Sequence, residues 1–84
     1  MNLFAEPISS GGGLLKAVRK TFAKNMKRLR VKNDFSQEEL AEKMDVSVRY
    51  IQQLEGKNCP SVGLDVVAKI AKALSAKPRD LFDD

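Results

Sequence analysis

Between Leu14 and Lys32, apolar residues return at Val18, Phe22, Met26 and Leu29, and lysines and arginines fill the intervals. That spacing keeps one face of a helix apolar and the other charged, so a first amphipathic helix is predicted, ended by Asn33-Asp34. Ser36-Gln-Glu-Glu follows as a capping-box pattern. The Ser36 hydroxyl can accept from the amide of Glu39 while the Glu39 carboxylate returns to the amide of Ser36, opening a second helix through Met44. Its inward side is Leu40, Ala41 and Met44. Asp45-Val46 makes a turn, and Ser47 caps a third helix through Glu55 with Ile51 and Leu54 inward. After a loop at 56–60, Ser61 is placed as the cap of a fourth helix striped by Val62, Val66, Val67, Ile70, Ala71 and Leu74. Pro78 suits the first turn of a short fifth helix ending near Phe82. No segment alternates as a strand would, so the expectation is a compact all-α fold of five helices.

Ahead of these helices, Leu3 and Phe4 stand near Pro7, Ser9, Ser10 and the triplet Gly11-Gly12-Gly13. Such a composition breaks regular structure, and residues 1–13 are predicted to be a flexible extension and hinge before one domain at 14–84. Gly13-Leu-Leu-Lys is not a phosphate-binding loop, because Lys16 is followed by Ala17 where the Walker pattern needs Ser or Thr.

Size and composition narrow the chemistry. A chain of 84 residues, 43% of them hydrophobic, can bury one modest core. With no histidine and a single cysteine, it has no histidine-based metal site, no histidine base and no internal disulfide. No metal or cofactor is expected, and the single thiol suits a reducing cytoplasmic setting. No apolar run reaches the roughly 20 residues that span a bilayer, and the first residues lack the pattern of a signal peptide, so no membrane partner is expected. The formal charge is only +4, yet eight bases and no acid lie between Leu14 and Lys32. A polyanion is one natural partner for that stretch, and a solvated helix face is the other reading.

Two short helices joined by a tight turn read DNA only if the first packs across the second and holds it outward. Counted from Gln37, Leu40 is fourth, Ala41 fifth, Met44 eighth, Val46 tenth, Ile51 fifteenth and Leu54 eighteenth, with the small residue where the helices cross. This ladder resembles the helix-turn-helix of the lambda-repressor-like, or Xre, family. The resemblance runs from about Phe22 to Phe82 and includes Ser36-Gln-Glu-Glu-Leu-Ala-Glu-Lys-Met, Tyr50-Ile-Gln-Gln-Leu-Glu, Ile70-Ala-Lys-Ala-Leu and Asp80-Leu-Phe. Two departures stand out. Asp45 occupies the ninth position, usually glycine in the family, and is one of the few other residues that tolerate a left-handed turn. Gly56 also follows Glu55 one residue sooner than is common there.

The helical period of the third helix leaves Val48, Arg49, Gln52 and Gln53 on its open side. Arg49 can make a two-point contact to guanine, Gln53 the equivalent contact to adenine, and Val48 can touch a thymine methyl. The resemblance makes Val48, Arg49 and Gln53 base-contacting, with Ser47 at the edge of that surface. It makes Gln37 a contact to the DNA backbone, at a helix end that favours phosphate. Lys43, Tyr50, Lys57 and Asn58 are further backbone candidates, equally readable as solvated side chains. The resemblance also implies that Arg30 and Glu55 form a partly buried structural ion pair. Cys59 is read as a loop residue, with oxidative sensing as the alternative.

The function expected is a sequence-specific transcription regulator that binds a palindromic site on double-stranded DNA as a homodimer, third helix in the major groove. Within the family it could be a phage-type repressor, a restriction-modification controller or an antitoxin. A separate oligomerisation domain is not expected, which favours the small controller type. The competing class is a protein-interaction module, either an antitoxin-like helical domain or one whose Leu3-Phe4 extension docks on a partner, with DNA binding secondary or absent. Enzymatic activity is not expected, since there are no paired acids in an evident pocket.

Overall fold

Four of the amphipathic segments fold as α-helices, and their ends show how the backbone is closed. The computed structural model describes residues 11–83. They form α1 (Gly11–Lys32), α2 (Gln37–Met44), α3 (Val48–Leu54), α4 (Leu64–Ala73) and a 3₁₀ turn (Pro78–Leu81), with no strand among the described residues. The core gathers Phe22, Ala23, Met26 and Leu29 from α1, Leu40, Ala41 and Met44 from α2, Ile51 and Leu54 from α3, and Val67, Ile70, Ala71 and Ala73 from α4. Leu74, Leu81 and Cys59 complete it. The most extensive helix pairing is α2 against α3, while α1 and α4 both pack on the 3₁₀ turn.

The three helices α1, α2 and α4 end alike, each with a non-glycine residue in the left-handed region: Asp34 (φ 59°), Asp45 (φ 58°) and Ser75 (φ 53°). In each case two amides turn back onto the last carbonyls of the helix. Phe35 N donates to Arg30 O, Val46 N to Ala41 O and Ala76 N to Ala71 O, at 3.1, 2.9 and 2.9 Å. The paired inner bonds run from Asp34 to Val31, Asp45 to Glu42 and Ser75 to Lys72. This is the Schellman closure, and the residue after each left-handed one, Phe35, Val46 or Ala76, packs against the core.

Four expectations are corrected. Gly11–Gly13, expected to be a hinge, are the first turn of α1. The amides of a helix's first turn have no intrahelical acceptor in any case, and a helix already nucleated at Phe22–Leu29 extends by one bond per residue, which offsets the roughly 1 kcal/mol that each glycine loses. The rest of the proposed extension, Leu3 and Phe4 included, lies outside the described residues. Val18 is not core but 41% exposed. α1 runs about 33 Å at 1.5 Å per residue, longer than the 22 and 20 Å cross-section of the molecule, so residues 13–18 stand exposed. The fourth helix is capped by Gly63 rather than Ser61. Ser61 Oγ instead accepts from the guanidinium of Arg19, and Val62 packs on the core from the loop. Finally, the fifth helix is a four-residue 3₁₀ turn. Pro78 supplies no amide, Lys77 N donates to Asp80 Oδ2 at 3.0 Å, and Asp80 N and Phe82 N bond back three residues.

Candidate nucleic-acid interface

The Ser36 box expected from the sequence is closed in both directions: Glu39 N donates to Ser36 Oγ at 3.0 Å and Ser36 N donates to Glu39 Oε1 at 2.8 Å. These bonds, the backbone one foremost, hold the Glu39 carboxyl below its usual pKa of 4.5. α2 therefore starts at a fixed place, and the left-handed Asp45 ends it at another. Ser47 then caps α3, its Oγ accepting from Tyr50 N at 3.1 Å. With both ends set, burial of Ile51 and Leu54 fixes the rotation of α3 about its axis.

The outward side of α3 is Arg49, Gln52 and Gln53, all exposed, with Ser47 exposed at its start. Val48 differs from expectation. It is half-buried and packs against the core, so only part of its side chain is open. Tyr50 is likewise half-buried against the core. Lys43 is exposed, with its Nζ 4.9 Å from the centre of the Phe35 ring.

Behind this face stands the ion pair. Arg30 Nε and a terminal nitrogen donate to the two Glu55 oxygens at 2.7 and 3.0 Å, in the two-point geometry a guanidinium offers a carboxylate. The Glu55 side chain is 3% exposed. Arg30 also donates to Phe35 O at 2.7 Å, and Gln37 Nε2 donates to Glu55 Oε1 at 3.2 Å. Glu55 thus binds the end of α1 and the start of α2 to the end of α3. Gln37, assigned to a DNA phosphate by resemblance, has part of its amide engaged within the fold.

Lys57 and Asn58 are exposed in the loop after α3 and face residues 15–24 of α1 across an open cleft. Cys59 is buried at the foot of that loop, and burial pushes its thiol up despite the nearby Arg19 charge. A buried thiol held protonated is a poor oxidation sensor, so Cys59 is a packing residue.

Sequence reasoning missed the work of two asparagines, one buried and one half-buried. Asn25, 2% exposed, donates to the carbonyls of Leu81 and Asp83 and ties the chain after α4 to α1. Asn33 donates to Leu29 O at 2.7 Å and Leu74 O at 3.1 Å. The available signal was position, since Asn25 lies three residues after Phe22 and four before Leu29, on the apolar side of the helix.

Comparison with known proteins agrees with this geometry. The helix-turn-helix family profile matches residues 26–81. The control protein C.BamHI of Bacillus amyloliquefaciens is 37% identical over 67 residues, covering 79% of this chain and 82% of that protein. Two solved structures, each 32% identical over 79% of this chain, superpose with similar scores. The restriction-modification controller protein C.AhdI from Aeromonas hydrophila has a TM-score of 0.72 over 98% of its chain. The hypothetical transcription factor NHTF from Neisseria has a TM-score of 0.73 over 75% of its chain. The profile match over most of the chain and the 37% identical relative show that the chain belongs to the lambda-repressor-like family of helix-turn-helix DNA-binding proteins.

Proposed function

We propose that this protein is a sequence-specific transcription regulator of the restriction-modification controller type. It places α3 in the major groove and binds a two-fold symmetric operator as a homodimer. The observation that carries this reading is the exposed trio Arg49, Gln52 and Gln53 on a short helix whose rotation is fixed by buried Ile51 and Leu54. Arg49 reads guanine O6 and N7, Gln53 reads adenine, and the open part of Val48 meets a thymine methyl, with Ser47 at the rim. Gln37, Lys43, Tyr50, Lys57 and Asn58 hold the phosphates that set the register. Similarity to C.BamHI and to C.AhdI over most of both chains supports the controller assignment. Pairing is supported by Phe82, which is 44% exposed where it leans on Phe22, beside exposed Leu14 and Val18. The site of action is the cytoplasm, where such operators are found.

Anisotropy titrations at several salt concentrations test the assignment of the reading face. Arg49→Ala is expected to cost about 1–3 kcal/mol on the cognate site and to relax preference at one base pair per half-site, while random duplex is bound only slightly more weakly. Lys57→Ala should weaken both duplexes by similar factors and make the salt slope shallower by roughly one unit per contact. Equal losses on both duplexes for Arg49→Ala would make it a phosphate ligand and refute the assignment.

A further inference from the structure

The cleft between α1 and the loop after α3 is lined by Lys16, Arg19, Lys20, Lys24 and Lys57 against a single acid, Glu55. Glu55 does not neutralise it, because its carboxylate is shut from solvent and already bonded by Arg30 and Gln37. None of the five cleft bases has an acid within ion-pair distance among the described residues. Arg19 is held by Ser61 Oγ, while its Nε is buried without a hydrogen-bond partner. Among the described residues the cleft therefore carries a concentrated positive charge with no acid to compensate it.

We propose that this cleft seats a second stretch of the DNA sugar-phosphate backbone, so that residues 15–24 of α1 and the 56–60 loop grip one strand beside the groove that α3 enters. The proposal rests on the DNA-binding function above and extends it to residues outside the helix-turn-helix. Three features favour duplex phosphates as the occupant. The loop wall begins at Glu55, directly after α3 ends at Leu54, so the cleft adjoins the C-terminal end of the base-reading helix. Lys16, Lys20 and Lys24 repeat every four residues along one helix face and span about 12 Å, the axial length over which one strand presents three to four phosphates. The free cations are lysines, compact point charges that suit phosphate oxygens and carry no base-reading fork.

The test compares two charge-matched pairs of substitutions in the full chain. K20Q/K24Q removes two cleft charges, whereas K27Q/R28Q removes two exposed charges of α1 that lie outside the cleft lining. Binding to random duplex is titrated across salt concentrations, and circular dichroism melting verifies that both variants fold. The cleft pair is expected to flatten the slope of log K against log salt by about two units and the control pair by well under one. Equal flattening by both pairs, or no change with K20Q/K24Q while the unmodified protein binds, would overturn the cleft assignment and leave α3 readout standing. Failure of the unmodified protein to bind any duplex would instead overturn the DNA-binding function and this proposal with it.

Discussion

Two side chains show how individual residues set the stability on which the interface depends. Among the described residues Arg30 is the only counterion of a Glu55 side chain that is nearly shut from water, so Arg30→Ala leaves an uncompensated buried carboxylate. The expected loss is about 3 kcal/mol, read by chemical denaturation, and DNA affinity should fall with it. A variant that binds DNA weakly at unchanged stability would place Arg30 on the DNA instead. Glu39 gives a pH dependence of known sign. Bonding to Ser36 lowers its folded pKa below the 4.5 of the unfolded chain, so its contribution is full above pH 4.5 and disappears as the pH falls through the lower folded value. Glu39→Gln keeps an acceptor for the Ser36 amide without titrating. Between pH 5 and 3 its Tm, measured by circular dichroism, should therefore fall less steeply than that of the unmodified protein. Parallel curves would mean that the box is not formed in solution.

At the scale of elements, the geometry of α3 is inherited from how its neighbours stop. Asp45, in the left-handed conformation, aims the chain from α2 into α3. Asp45→Val puts a β-branched side chain at φ 58° and is expected to cost about 1–2 kcal/mol. Ser75→Gly removes a Cβ from the same kind of position and should add roughly 0.5–1 kcal/mol, net of the extra freedom of glycine in the unfolded chain. Urea midpoints at constant m-value test both, and a gain from Asp45→Val would contradict the turn geometry. These devices differ in how far the sequence discloses them. The Ser36 box, the Ser47 cap, the left-handed Asp45 and the inward sets of α2 and α3 are local, set by spacings of three and four residues, and were legible. The engagement of Arg30 with Glu55 was implied only by resemblance, because 25 residues separate them. What was not legible depended on elements distant in sequence. Nothing local says that Val18 lies beyond the part of α1 that other helices cover. Ser61 looked like a cap until Arg19, 42 residues earlier, reached it. The 3₁₀ form of the last turn is fixed by too few residues for an apolar period to reveal.

Taken as one molecule, the protein is a small helical scaffold with charge on one edge and the exposed polar face of α3 on another. Its core has little to spare, so the stability losses above translate into lost binding, and variants need to be compared at matched folded fraction. Phe82, Leu14 and Val18 are exposed apolar residues; in the proposed homodimer they would face the second copy, and pairing would double the few base pairs that one seven-residue α3 can read. The most direct test of the central claim, that α3 reads base sequence in a symmetric site, is selection of bound duplexes from a random pool with the unmodified protein and with Arg49→Ala. The account predicts enrichment of a two-fold symmetric motif with half-site centres about one helical turn, on the order of 10 base pairs, apart. It also predicts loss of preference at one position per half-site in the variant. A pool that shows no enriched motif, or the same motif at undiminished preference with Arg49→Ala, would contradict it.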